Sequence, residues 1–216
     1  FNLGGMYAKG QGVRKDLEEA KKLYMMAHEA GYFRATSNLF VLFKGGCGPA
    51  AGVPDMEKAI GFYRQAAESG DAVSQFNLGL RYHQGKGAEK DLNKAKAWYG
   101  KAIKQGSAGA MYGLASVLQD IEGLPAALPA MSLLFRTATA KGHAEARNSL
   151  AQLEQIVRRQ CAACGAALGA TPSVCSRCKG AAYCSKACQK KHWKKGGHKR
   201  ACKQAQQYLV AEDEEE

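Results

Sequence analysis

The chain has 216 residues, enough for one large domain or two smaller ones, and it carries eight cysteines and a formal net charge of +12. No run of about 18 or more apolar residues occurs, so no membrane-spanning helix is expected. Residues 1–160 hold 21 basic and 14 acidic side chains, residues 161–211 ten basic and no acidic ones, and the last five residues are all acidic. Only Cys47 lies before residue 160, and this shift in composition reads as two parts, a cysteine-poor one and a basic, cysteine-rich one.

The first part is repetitive, with a nearly fixed period. A shift of 39 aligns Asp16, Ala20, Tyr24, Ala27 and Gly31 with Asp55, Ala59, Tyr63, Ala66 and Gly70. A further 36 reaches Asp91, Ala95, Tyr99, Ala102 and Gly106, and another 36 a degenerate copy at Ala127, Met131, Phe135, Ala138 and Gly142. The halves before these also align, Leu3-Gly4 and Tyr7 with Leu78-Gly79 and Tyr82, and Leu39 with Leu114. The aspartates stand where a helix N-cap accepts first-turn N–H groups. The Ala, Tyr and Ala positions fall on one helix face, and the glycines mark C′ positions. Between paired helices lie Gly10-Gln11-Gly12 and Gly85-Lys86-Gly87, with a longer turn from Gly45 to Pro54 in the second unit. A period of 36 to 39 with two helices per unit means a solenoid of stacked antiparallel helix pairs, and the fold class is mainly α.

The pattern Leu3-Gly4…Tyr7…Gly10…Gly12-Val13…Asp16…Ala20 resembles the Sel-one-like repeat, a relative of the tetratricopeptide repeat. The resemblance covers residues 1–146 as about four units, the first truncated, and implies an adaptor scaffold with a concave protein-binding face. Pro125 and Pro129 predict an irregular start to the last unit's second helix. Residues 147–160 read as one more first-half helix closing the array. Phe1 falls inside a repeat, so the chain is expected to be a piece of a longer protein.

Little in this half points to chemistry. Phosphate loops need a preceding strand, whereas the Gly-x-Gly turns here are flanked by helices. Cys47 has no ligand partner at metal spacing. His28, His83 and His143 are isolated and read as surface or packing residues, and Glu18, Glu19, Glu57 and Glu68 as solvated helix faces. No nucleophile, base and orienting group stand together, so no enzymatic activity is expected.

The second part is built of pairs: Cys161/Cys164, Cys175/Cys178, Cys184/Cys188 and His198/Cys202. Tetrahedral structural zinc takes four N or S ligands from such closely spaced pairs, and seven cysteines with His198 fill two sites. Disulfides fit poorly, since the cluster count is odd; zinc thiolates point to a reducing compartment, cytoplasmic or nuclear. Two zinc ions on seven thiolates would lower the +10 of residues 161–211 to about +7. Eight protein ligands close both sites, leaving no open position for a water, so the zinc is structural. Spacing alone leaves two pairings open. The sequential one joins the first two pairs and the last two, and the interleaved one joins the first with the third and the second with the fourth.

The run CxxC-x10-CxxC-x5-CxxxC with Gln189, Trp193, His198 and Cys202 resembles the MYND-type zinc finger over residues 161–202. The resemblance implies the interleaved arrangement: Cys161, Cys164, Cys184 and Cys188 on the first zinc, and Cys175, Cys178, His198 and Cys202 on the second. Nine residues separate Cys188 from His198, one or two more than is usual, with Gly196-Gly197 the inserted pair. His192, four residues after Cys188, is the competing ligand, the alternative being a surface histidine beside Trp193. The resemblance further implies a protein-interaction module that binds short proline-containing peptides, with Gln189 and Trp193 at peptide-contacting positions; Trp193 packing against the zinc-bound loops is the other reading of that residue. Residues 203–216 read as a helical extension and acidic tail. The expected whole is an adaptor whose partners are proteins or peptides. Two other readings stand beside it. Lys190, Lys191, Lys194, Lys195, Lys199, Arg200 and Lys203 form a basic cluster that suits nucleic acid, with few aromatics interleaved. Sel-like repeats followed by a MYND finger also resemble plant and algal F-box proteins, which would make the complete protein a ubiquitin-ligase substrate adaptor if an F-box lay upstream.

Overall fold

A computed structural model describes every residue except 47–54, 160, 163–164, 166, 170–171, 195–196 and 210–216, together with the side chain of Pro125. Cys47, most of the long turn of the second unit, Cys164, Gly196 and the acidic tail therefore lie outside the described residues. The chain divides into two compact units, Phe1–Trp98 and Tyr99–Glu216.

In the first unit α1 (Asn2–Lys9), α2 (Leu17–Glu29), α3 (Arg34–Lys44), α4 (Met56–Glu68) and α5 (Ala72–Gln84) each pack on the next, and α6 (Leu92–Lys104) begins in it. The aspartates cap as their spacing requires. Asp16 accepts from the N–H groups of Glu18 and Glu19, Asp55 from Lys58 and Asp91 from Lys94. Each of these residues also closes its turn with its own N–H, given to Tyr7, Phe43 and Tyr82 respectively at 2.9–3.0 Å. The long second turn thus ends in the same bond as the short ones.

The recurrent alanine and glycine belong to one device. At the C-terminus of α2 the N–H of Gly31 reaches His28 O, and that of Tyr32 reaches Ala27 O. The pair recurs at α4 through Gly70 to Ala67 and Asp71 to Ala66, with Gly31 at φ 80° and Gly70 at φ 96°. This is the double bond of a Schellman cap, which needs a left-handed C′ residue. The core of the unit is Tyr24, Leu39, Phe40, Phe43, Ala59, Ile60, Tyr63 and Leu78. Gly4 makes room for Tyr24: a Cβ there would lie 3.0 Å from the ring. His28 is buried, its Nδ1 3.0 Å from Thr36 Oγ1 and its Nε2 3.1 Å from Gln65 Oε1. Its place is packing, and it ties α2 to both α3 and α4.

The second unit holds the rest of α6, then α7 (Ala108–Glu122), α8 (Leu124–Ala140), α9 (Ala144–Val157), β1 (Ser173–Val174), β2 (Ala182–Tyr183), α10 (Lys186–Lys194) and α11 (His198–Gln207). Two expectations are corrected here. The last repeat's second helix does not start irregularly. It begins at Leu124, a turn ahead of the aligned Ala127, with Pro125 in its first turn, where the missing N–H has no intrahelical partner to lose. Pro129 sits inside the helix, which runs on unbroken to Ala140. The closing helix, expected from residue 147, is α9 and starts three residues earlier; His143 packs as expected, its ring stacked on Tyr112 at 5.0 Å, and its Nδ1 also accepts from Ala146 N–H and caps that helix. Ala127, Met131, Phe135 and Ala138 are all buried, so the degenerate repeat keeps its core face.

Candidate functional site

The zinc-finger region folds around a short antiparallel hairpin, Ser173 opposite Tyr183 and Val174 opposite Ala182. Between its strands Cys175 and Cys178 flank a tight turn. The N–H of Lys179 reaches Cys175 O, that of Cys175 reaches Ala181 O, and Gly180 N–H points at Cys178 Sγ from 3.4 Å. Lys179 takes a left-handed φ of 56° to make that turn. Cys161 enters beside the hairpin, since Ala162 N–H bonds to Ala182 O. Cys184 and Cys188 straddle the start of α10, where Ser185 Oγ accepts from Cys188 N–H. His198 and Cys202 lie one turn apart on α11 and both are buried.

Two donor groups result. Cys175, Cys178, His198 and Cys202 bring their ligand atoms within 4.8 Å of one another, and Cys161, Cys184 and Cys188 do the same. Cys164 lies outside the described residues. The grouping crosses chain order, so the second pair meets the fourth and the first meets the third. The distances suit zinc. A tetrahedron with metal–sulfur bonds of about 2.3 Å has edges of about 3.8 Å; Cys184 Sγ lies 3.6 Å from Cys188 Sγ, and Cys178 Sγ lies 3.6 Å from His198 Nε2.

Electrostatics points the same way. The hydrogen bond from the Cys178 thiol holds Cys175 down to about 3, and that bond, with burial, pushes Cys178 up. Burial raises Cys202, helped by the Cys175 charge, and burial with the neighbouring sulfurs raises Tyr183. Sulfurs this close cannot all ionise without a cation between them, whereas a zinc ion deprotonates coordinating thiols outright. The core of the region leads to the same requirement: among the described residues its buried cluster is Cys161, Cys175, Cys178 and Cys202 with Ala181 and Tyr183, and Leu168, Cys188 and Trp193 pack partly buried against it. So small an apolar core cannot hold a fold by burial alone, and metal binding then supplies the folding energy.

His192 stands outside both donor groups. Its Nδ1 is 3.2 Å from Tyr183 Oη and its ring stacks on His198 at 5.2 Å. Burial, then the nearby His198, lowers its pKa. Trp193 is half-buried against the finger core, 5.8 Å from the His198 ring, with the Arg177 guanidinium 5.6 Å from its own centroid. Gln189, one turn before it, is half-buried too. Sequence reasoning overlooked Gly180, which is buried where the finger meets α8; a Cβ there would fall 2.5 Å from Leu128 O and 2.8 Å from Pro129 Cα. It also overlooked Gln204 and Gln207, which helical spacing from Arg200 places on the same face of α11.

A stack of capped helix hairpins ending in a cysteine–histidine cluster is a helical-repeat protein with a zinc-finger terminus. The MYND finger family matches residues 161–202, and the Sel1 repeat family matches residues 1–32, 42–71 and 72–107. The chain carries Sel1 repeats and a C-terminal MYND finger. Among solved structures it is similar to a protective antigen present in uropathogenic Escherichia coli strains displaying an SLR fold, with 28% identity over 72% of this chain and a TM-score of 0.60. It is also similar to a Sel1 repeat protein from Oxalobacter formigenes, with 30% identity over 72% of this chain and a TM-score of 0.59. The match spans 32% of the first structure's chain and 63% of the second's. Sel1 repeats and MYND fingers are modules that mediate protein–protein interaction, and a MYND finger binds zinc. Among the described residues no helix is long and apolar enough to cross a membrane.

Proposed function

We propose that the chain is a zinc-stabilised adaptor and not an enzyme, its repeats (residues 1–146, closed by 147–160) gripping one protein partner and its finger (161–202) holding a short proline-containing peptide of another. Cys161, Cys164, Cys184 and Cys188 hold one structural zinc ion, and Cys175, Cys178, His198 and Cys202 hold a second. The carrying observation is the pair of interleaved donor groups, because ligands from both ends of the finger then fix α10 and α11 relative to the hairpin. That fixes Gln189 and Trp193 side by side, and an aromatic face suits a proline-rich segment already extended as a polyproline helix. Full protein ligation leaves no open coordination position for chemistry. Thiolate ligation fits a reducing compartment, nuclear or cytoplasmic, and residues 203–216 serve as an extension of the finger.

The ligand set is tested by metal analysis of the purified chain. Wild type and His192→Ala are expected to carry two zinc ions per chain and His198→Ala fewer than two. Two ions retained by His198→Ala would overturn the assignment. Quenching or shift of Trp193 fluorescence, recorded in a Trp98→Phe background, tests the peptide site against a set of proline-rich peptides.

A further inference from the structure

We infer that the cleft between α10 and α11 selects peptide segments that carry acidic residues beside proline. This deepens the peptide-binding reading above and rests on it. The cleft has a volume of about 750 Å³, within the range of ligand sites. Trp193 and Lys194 line it from α10, and Lys199, Arg200, Lys203 and Gln207 from α11. All four cations are exposed, and among the described residues no carboxylate lines the cleft. Arg177 adds a further cation against the Trp193 ring. Glu122 appears only in a second hollow, which it shares with Arg200 and Gln204.

Four like charges crowded on two short helices repel one another, and a ligand that brings carboxylates relieves that repulsion while a neutral one does not. Their position around a half-buried indole divides the work. The ring offers a flat apolar face to a proline, and the lysines and arginine stand where flanking Glu or Asp side chains of the same segment would reach. Charges on such a rim act on association rate and partner choice and are screened by salt. A peptide suits the cleft better than a nucleic acid does. Single strands are held by several stacking platforms along a basic track, and here, among the described residues, one indole lines the hollow.

The test uses the zinc-loaded full chain and two fluorescein-labelled peptides of alternating residues, one of Glu and Pro and the other of Gln and Pro, with a labelled single-stranded oligonucleotide as third probe. Anisotropy at low salt should show the Glu peptide binding about tenfold tighter than the Gln peptide, the gain of a few exposed ion pairs, and the difference should shrink at high salt. The double variant Lys199→Gln/Lys203→Gln, which leaves every donor residue in place and should retain its zinc, is expected to lose the preference and still bind the Gln peptide. Equal affinity for the two peptides, or a preference that survives in the double variant, overturns the inference and leaves the peptide-binding reading standing. Binding of neither peptide overturns both. An oligonucleotide that binds more tightly than the Glu peptide overturns the peptide as occupant in favour of nucleic acid.

Discussion

Gly180 offers a direct test of how the finger is held. Its Cβ position is occupied by backbone atoms of α8: Leu128 O at 2.5 Å, Leu128 C at 2.8 Å and Pro129 Cα at 2.8 Å. No rotamer change can clear a helix backbone, so Gly180→Ala must move the finger off α8 or bend α8. Gly180 is not among the positive-φ glycines, so the cost is one of space and not of backbone conformation. Overpacking of this kind costs about 1–3 kcal/mol, and in a unit the size of Tyr99–Glu216 each kcal/mol lowers the melting temperature by about 4 °C. Thermal unfolding of zinc-loaded Gly180→Ala, followed by Trp193 fluorescence, should therefore show a drop of about 4–12 °C with zinc content unchanged. Gly169→Ala is the control, since among the described residues nothing lies within 4 Å of its Cβ and it sits in the same region. It should be neutral or slightly stabilising through the unfolded chain. A Gly180→Ala protein as stable as the control would refute the docking of the finger on α8.

Three further outcomes are expected. Because α11 packs on α8, chelation should unfold the finger and also lower the unfolding temperature of α7–α9, while the transition reported by Trp98 stays in place; helicity in α7–α9 that is indifferent to zinc would show the docking to be weak. Asp55→Ala removes the oxygen that accepts from Lys58 N–H and should cost about 1 kcal/mol in urea denaturation, with no change in zinc content. Burial raises the Tyr63 pKa above its ordinary value, its hydrogen bond with Ser37 only partly opposing this. The folded state then keeps a proton that the unfolded state loses above about pH 10, so stability present below that pH declines as pH rises, by at most about 1.4 kcal/mol per pH unit for this group. Tyr63→Phe should flatten the decline, and an unchanged slope would exclude Tyr63 as its source.

The repeat was legible because each of its periodic residues serves a local bond. An aspartate caps the turn beside it, a glycine turns left-handed where a Schellman cap ends a helix, and alanines recur at the spacing of one helix face. Such bonds reach no further than a few residues, so the chain spells them out. The same locality explains the misreadings in the last unit. Proline in a first turn loses no intrahelical bond, and a histidine nitrogen can accept a capping bond where the earlier copies use an aspartate, but neither follows the pattern of those copies. Gly180 left no signal either, because its neighbours Leu128 and Pro129 lie some fifty residues away in the chain.

The opening count of cysteines follows the same division. Sequence by itself determined which residues can be donors, because two sulfurs one tight turn or one helical turn apart are brought together by local backbone geometry. It determined the basic character of the finger as well. Only the tertiary structure decided that Cys175 and Cys178 meet His198 and Cys202, that His192 turns to Tyr183, and that four cations line one cleft with Trp193. Those relations depend on how a hairpin and two short helices close on one another, and on a finger whose core, being mostly cysteine, takes its shape from the contacts among its donors.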